Sequence, residues 1–404
     1  MKTKRITLKE GLQDLIDVRR VIAGASVAFG TAGESESLVH GNAQEVVLHD
    51  GQLLPDAAAL RRDSIFDLAS LTKLFTALSI LLLRQDGRVR FDDPVKRFDK
   101  RFVNIPDVTV GELMIFHPGL RTSRRIDGLS NRREALDTLF SIQRAPLDPA
   151  GKIYTDMGAM ILKYVIEAAG GEPYFDFLKR RILDPLGMRD TFSFLPASVG
   201  HRLVNYNYER RIVNGEYRLD TACPPGTVND QKARILCDAG RDLCGHAGLF
   251  STLTDMVRFS QGLLNGALVP IDTVREMGTN RTGVRLPDGR YTHHFGYLCY
   301  AKHPDQTYSE VPACFGSHTV ASNGYTGNHL SVDPERGMFM VILANKTHNR
   351  ITWLTGRANP FETTTEAAWN DGHTYPVSQN YTFLKDTYIK EPIAELLKGF
   401  EAAD

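Results

Sequence analysis

Ser70-Leu71-Thr72-Lys73 places a hydroxyl and an amine three residues apart, at the head of the apolar run Leu74-Phe75-Thr76-Ala77-Leu78-Ser79-Ile80-Leu81-Leu82-Leu83. One helical turn separates the two groups, so they share a face. A run that is apolar nearly all round predicts a helix buried at the centre of a domain. Burial disfavours the charged form of a lysine and lowers its pKa, which turns Lys73 into a base beside a candidate nucleophile. Ser70 follows Phe66-Asp67-Leu68-Ala69 and stands where the helix begins, so the partial positive charge of the helix N-terminus favours an alkoxide or an oxyanion there. Taken alone, the four residues also read as an N-capping serine with a lysine snorkelling to water.

Composition narrows the setting of this stretch. A chain of 404 residues holds one large or two medium domains with a full core. Its 48 basic and 48 acidic side chains cancel, which leaves no electrostatic footprint for nucleic acid. Clusters such as Arg124-Arg125, Arg132-Arg133 and Lys179-Arg180-Arg181 read as solvated faces. No apolar run approaches a membrane span, and the basic start Met1-Lys2-Thr3-Lys4-Arg5 lacks the apolar core of a signal peptide. The cysteines, Cys223, Cys237, Cys244, Cys299 and Cys314, are odd in number and lack C-x-x-C spacing. Reduced thiols and a cytoplasmic location are expected. Cys237, Cys244 and His246 fit no standard zinc spacing, so neither metal nor cofactor is expected.

Outward from Ser70, helical patterns run from Ser64 to about Leu195, and strand patterns flank them. An amphipathic helix is expected from Leu8 to Val21, then strands at Ala23 to Gly30 and Glu45 to Leu48. Later strands are expected at Gly296 to Tyr300, His318 to Ser322, His329 to Val332 and Gly337 to Ala344, after a helix from Thr254 to Leu264. Strands at both ends and helices between them imply an α/β (α+β) architecture: an antiparallel sheet formed from both chain ends, flanked by helices, with an inserted mainly helical domain. The expected division is residues 1–63 plus 245–404 for the sheet domain, 64–200 for the helical domain and 201–244 for a long surface loop or lid.

Two further segments carry chemistry. Pro149-Ala150-Gly151-Lys152-Ile153-Tyr154-Thr155-Asp156-Met157-Gly158 is a turn, a tyrosine and an acid ahead of a helix. Tyr154 next to Lys73 serves as a proton shuttle, since a neighbouring cation favours the phenolate; the plainer reading is a packed core tyrosine. Asp156 reads as a helix cap or as a catalytic acid. In Ala321-Ser322-Asn323-Gly324-Tyr325-Thr326-Gly327, a glycine in a strand marks close approach of a ligand or of another backbone. An edge strand there supplies one oxyanion donor and the N–H of Ser70 the other; the plainer reading is a hairpin turn rich in small residues.

S-x-x-K, then Y-x-D before a helix, then a glycine-bearing late strand resembles, in that order, the serine β-lactamase and penicillin-binding-protein superfamily. The resemblance is to the branch of class C β-lactamases, family VIII esterases and D-aminopeptidase-like enzymes. It spans Val21 to Asn349 and includes Asp184-Pro185-Leu186-Gly187-Met188-Arg189-Asp190-Thr191 and Gly245-His246-Ala247-Gly248-Leu249-Phe250-Ser251-Thr252. It implies Ser70 as nucleophile, Lys73 as its base and Tyr154 as the group that passes the proton to the leaving group. It also implies the backbone N–H groups of Ser70 and Tyr325 as the oxyanion hole, and Asp156, Ser322, Asn323 and Gly324 as substrate-binding residues. The family's third motif carries lysine or histidine where this chain has Ser322, and an asparagine frequently where it has Asp156. Both departures weaken recognition of a substrate carboxylate.

The expectation is therefore a cytoplasmic serine hydrolase or acyltransferase that forms an acyl-enzyme on Ser70 from a small ester or amide, with an amine or alcohol as acceptor in the transfer variant. Its partners are small molecules, with no nucleic acid and no membrane. The alternatives are a β-lactamase or D-amino-acid peptidase, and a catalytically inactive binding protein of the same fold.

Overall fold

The computed structural model describes residues 6–117, 119–146, 154–237, 242–289, 291–303, 310–354, 365–378 and 380–401. Residues 149–153 of the motif that carries Tyr154 lie outside the described residues.

Six strands form one antiparallel sheet: β1 (Gly24–Thr31), β2 (Ser35–His49), β3 (Gln52–Ala59), β4 (Val320–Asn323), β5 (His329–Asp333) and β6 (Met338–Ala344). Their spatial order is β4-β5-β6-β1-β2-β3, so the two chain ends meet at the β6-β1 pair, in register from Ala25↔Ala344 to Thr31↔Met338. Every residue of β6 is buried, because helices cover both faces of the sheet. Val341 and Leu343 point to one face, with Phe259 and Leu263 of the helix Leu253–Leu264. Met340 and Ile342 point to the other, with Leu8 and Leu12 of the first helix and Ile393 and Leu397 of the last, Glu391–Glu401. The antiparallel sheet built from both chain ends, flanked by helices and interrupted by a helical insert, is the architecture expected.

The helices that matter for the site are α1 (Thr72–Gln85) and α2 (Met157–Gly170). Thr72 to Leu83 are all buried, as an apolar circumference requires. The short antiparallel pair Ile65–Asp67 with Phe250–Thr252 fixes the approach to α1.

Two stretches differ from expectation. Gly296 to Tyr300 is not a strand: its backbone turns back on itself through Gly296 N–H to the Cys299 carbonyl (3.0 Å), with Leu298 at a φ of 50°. Tyr297 donates to Met277 and Leu298 to Met114, and Tyr300 makes a single bridge to the sheet, donating to the Ala321 carbonyl of β4 at 2.7 Å. Within 201–244 the chain is not simply a surface excursion. Val204 to Arg210 is largely buried, and Glu209–Val213 pairs antiparallel with Glu216–Asp220 and parallel with Ile351–Leu354. Charged residues at Glu209, Arg210 and Arg211 hide this strand from a hydrophobicity reading, since they are buried with partners of their own.

Candidate active site

Ser70 lies in a single 3-10 turn, Ala69–Leu71, that runs directly into α1. Ala69 takes a φ of 48°, a left-handed conformation unfavourable for a residue with a Cβ. The buried Asp67 side chain holds it there by accepting from the Ala69 N–H at 2.8 Å, and it also accepts from the Asn229 N–H at 2.6 Å. Burial pushes the Asp67 carboxyl up to about 6 against those two bonds. Strain of this kind collects where the surroundings over-determine a functional backbone.

Lys73 is 1% exposed, and its Nζ lies 2.9 Å from Ser70 Oγ, 2.7 Å from Asp156 Oδ1 and 3.3 Å from the His246 carbonyl. An ammonium has three protons and finds three acceptors here. The expectation that burial lowers its pKa is overturned. Burial does pull in that direction, but the Asp156 carboxylate and Tyr154 outweigh it and the net shift is upward, so Lys73 is a cation in the resting site. Asp156 is held well below the usual carboxylate range, its own burial being outweighed by Lys73, His246 and Lys232. Although it stands at the N-cap of α2, its side chain makes no capping bond; ion pairing replaces the cap.

Tyr154 reaches over Lys73, with the ammonium 5.0 Å from its ring centre. The ring is 37% exposed and packs beside Phe116, Phe295 and Tyr300, so it stands at the mouth of the site rather than in a sealed core.

The third motif arrives from the sheet. β4 is an edge strand, and Gly324 just beyond it lies against the Leu68 carbonyl, where an added Cβ would sit 2.8 Å from that oxygen. Thr326 Oγ1 (3.0 Å) and Asn328 Nδ2 (2.8 Å) both donate to the Asp67 carbonyl, which ties the strand end to the nucleophile turn. Ser322 is 4% exposed and shares the face of Gly324. Asn323 does not: its Oδ1 accepts from His329 Nδ1 at 2.7 Å and Lys385 Nζ at 3.4 Å, toward the C-terminal segment. Alternation along a strand forces this, since neighbours point to opposite faces. The Tyr325 hydroxyl donates to Glu209 Oε1 at 2.7 Å, and Lys346 Nζ lies 4.8 Å from its ring centre.

Sequence reasoning missed a second tier behind Lys73. Lys232 Nζ lies 3.2 Å from Asp156 Oδ2 and 3.1 Å from Asp230 Oδ2, and Asp230 Oδ1 is 2.9 Å from His246 Nε2. His246 is fully buried, and Cys244 and Asp230 outweigh its desolvation to push it up to about 10. The ligand-type atoms of Asp156, Asp230 and His246 fall within 4.8 Å of one another, yet lysine ammonium groups already meet both carboxylates. The one local signal was Asp230 as an N-cap, which it is, accepting from the Ala233 N–H at 2.9 Å.

Comparison with known proteins places this geometry. Two curated relatives, from Escherichia coli O157:H7 (26% identical, covering 78% of this chain and 76% of theirs) and Salmonella gallinarum (28%, covering 75% and 74%), carry the description "Putative D-alanyl-D-alanine carboxypeptidase". Similar solved structures include unliganded simvastatin synthase from Aspergillus terreus (TM-score 0.65, 16% identical, covering 97% and 98%). They also include D-amino acid amidase from Ochrobactrum anthropi (0.62, 20%, covering 98% and 99%). EstCE1, described as a hydrolase with promiscuous acyltransferase activity, has a TM-score of 0.65 at 17% identity, covering 95% and 97%. At those identities the solved structures share the fold. No helix among the described residues is long and apolar enough to cross a membrane. The beta-lactamase family model matches residues 35–355, and the chain belongs to that family of serine hydrolases and acyltransferases.

Proposed function

We propose that this enzyme cleaves or transfers the acyl group of a small ester or amide through an acyl-enzyme on Ser70, in the cytoplasm. The observation that carries the reading is the 2.9 Å contact between Lys73 Nζ and Ser70 Oγ, with Tyr154 over the same ammonium. Ser70 Oγ attacks the carbonyl carbon, and the new C–O bond forms as the bond to the alcohol or amine breaks. Lys73 stabilises the developing alkoxide by its charge, and Tyr154 carries the hydroxyl proton to the leaving group. The N–H groups of Ser70 and Tyr325 receive the oxyanion; Gly324 keeps the strand close enough to Leu68 for this. Water then hydrolyses the ester, or an amine or alcohol takes the acyl group. Five free cysteines agree with a reducing compartment.

A fluorophosphonate probe and p-nitrophenyl esters test the reading. A single adduct on Ser70 by intact mass and peptide mapping is expected, lost in Ser70→Ala; an unmodified wild-type chain, beside a family enzyme that reacts, refutes it. Partition of the acyl group between water and added amines separates hydrolysis from transfer.

A D-amino-acid peptidase is the second reading. Lys346, 4.8 Å from the Tyr325 ring centre, favours it by offering an amine beside the end of the third motif, although burial lowers that lysine to about 8. Turnover of a D-Ala-D-Ala peptide that falls in Lys346→Met, while p-nitrophenyl acetate turnover stays, would select this reading.

A further inference from the structure

The groups behind Lys73 form a closed circuit. From Lys73 the contacts run to Asp156 (2.7 Å), Lys232 (3.2 Å), Asp230 (3.1 Å) and His246 (2.9 Å), and the His246 carbonyl returns to Lys73 at 3.3 Å. Four separate pieces of chain contribute: α1, the entry to α2, the short helix Gln231–Leu236 with its cap, and the loop carrying His246. Asp156 is 20% exposed on its side chain, Lys232 18%, Asp230 23% and His246 1%, so the charges interact with little screening.

We propose that Lys232 and Asp230 are positioning residues for acylation: with Asp156 and His246 they close a ring that holds Lys73 Nζ against Ser70 Oγ. This rests on Ser70 being the nucleophile. Cations and anions alternate from Lys73 to the His246 imidazole, the backbone carbonyl of His246 closes the ring, and each carboxylate is held by both oxygens, so neither can rotate away from its lysine. Lys232 fixes Asp156 Oδ2, which leaves Oδ1 for Lys73; Asp230 fixes Lys232 and the imidazole at once. The groups facing the ring from neighbouring elements are Ser70, Tyr154, Cys244, whose Sγ is 3.2 Å from His246 Nδ1, and Asp127, which feels Lys232.

The role assigned to Asp156 differs from that of a neutral residue at its position. An asparagine there would leave Tyr154 as the opponent of burial and release the Lys73 proton at lower pH; the carboxylate, braced by Lys232, adds to its retention.

The test is the second-order rate of Ser70 modification by a fluorophosphonate, measured on the full chain across neutral to alkaline pH, with the adduct mapped and folding checked by thermal melt. Lys232→Met is expected to lower the rate about tenfold with the adduct still on Ser70, and Lys232→Arg to restore most of it. Asp230→Asn, nearly isosteric, should fall between them. Asp156→Asn should acquire a descending alkaline limb as its Lys73 deprotonates, a limb that the wild type does not show within the ordinary lysine range. Wild-type rates in folded Lys232→Met and Asp230→Asn overturn the proposal. So does an alkaline limb in the unaltered protein, which needs no variant to fold. Absence of any wild-type adduct would instead refute Ser70 as nucleophile and take the ring's role with it.

Discussion

Three acceptors around one ammonium decide the chemistry of Lys73, and they leave Tyr154 as the group free to move a proton. Its ring is 37% exposed at the mouth of the site, where a leaving group departs, whereas Lys73 is 1% exposed with all its protons engaged. Tyr154→Phe is therefore expected to lower kcat on an alkyl ester by about 10²–10⁴ and to slow fluorophosphonate labelling of Ser70 as well, because both reactions need the serine proton removed. Steady-state ester turnover and the labelling rate, with folding checked by thermal melt, test this. Wild-type rates in both for the folded variant would show that Tyr154 moves no proton. Ser70 and Lys73 were legible in the sequence because their spacing survives folding unchanged, and Tyr154 because its motif resembles that of a known family. The sign of the Lys73 shift was not, because it depends on a carboxylate more than eighty positions away whose side chain reads locally as a helix cap.

Elements meet at this site through glycines and buried polar side chains rather than through apolar contact. Gly324 passes the Leu68 carbonyl with no room for a methyl group, and Gly245 passes the Ala159 carbonyl, where a Cβ would come to 2.0 Å. Gly324→Ala should therefore push the strand end off the nucleophile turn. A fall in kcat of about tenfold or more is expected with a small loss of stability, because an oxyanion donor is displaced while the core stays intact. Ester kinetics and a thermal melt together check this; unchanged kinetics would show that the Tyr325 N–H does not serve the oxyanion. Five of the six strands and the helices around them were readable from periodicity; β3 was not, because Gln52-Leu53-Leu54-Pro55-Asp56-Ala57-Ala58-Ala59 carries a proline and no β-branched residue. The strand Glu209–Val213 was not, because its charged residues are satisfied inside the protein by Thr352, Asn349 and Tyr325, partners distant in sequence. Gly296 to Tyr300 misled for the opposite reason: its residues favour a strand, but its Tyr297 and Leu298 amides are claimed by neighbouring helices and only Tyr300 bonds to the sheet.

At the scale of the molecule, the buried ring couples the site to stability. His246 is pushed from 6.5 up to about 10 in the folded chain. Its folded pKa lies above the unfolded one, so its contribution is complete below about pH 6.5 and is lost as pH rises toward 10. Lys346, lowered to about 8, works in the opposite sense above that pH, so the comparison must be made against a variant. The melting temperature of His246→Gln should be lower than that of the wild type near neutrality, and the gap should narrow as pH approaches 10. A gap that stays constant across that range would mean that the imidazole is not charged in the folded protein.

Pairing of Ala25 with Ala344 also has a temporal consequence. The first strand leaves the ribosome long before its partner exists, and β4, which brings Gly324 to Ser70, docks through β5 and β6. Contacts this distant along the chain form late and slowly. The helix that follows Ser70 can bury itself early among its local neighbours, but Gly324 and Tyr325 reach it only after nearly the whole chain has been synthesised. A nascent or truncated chain would carry Ser70 and Lys73 and remain inert, so acylating power is withheld until the sheet closes.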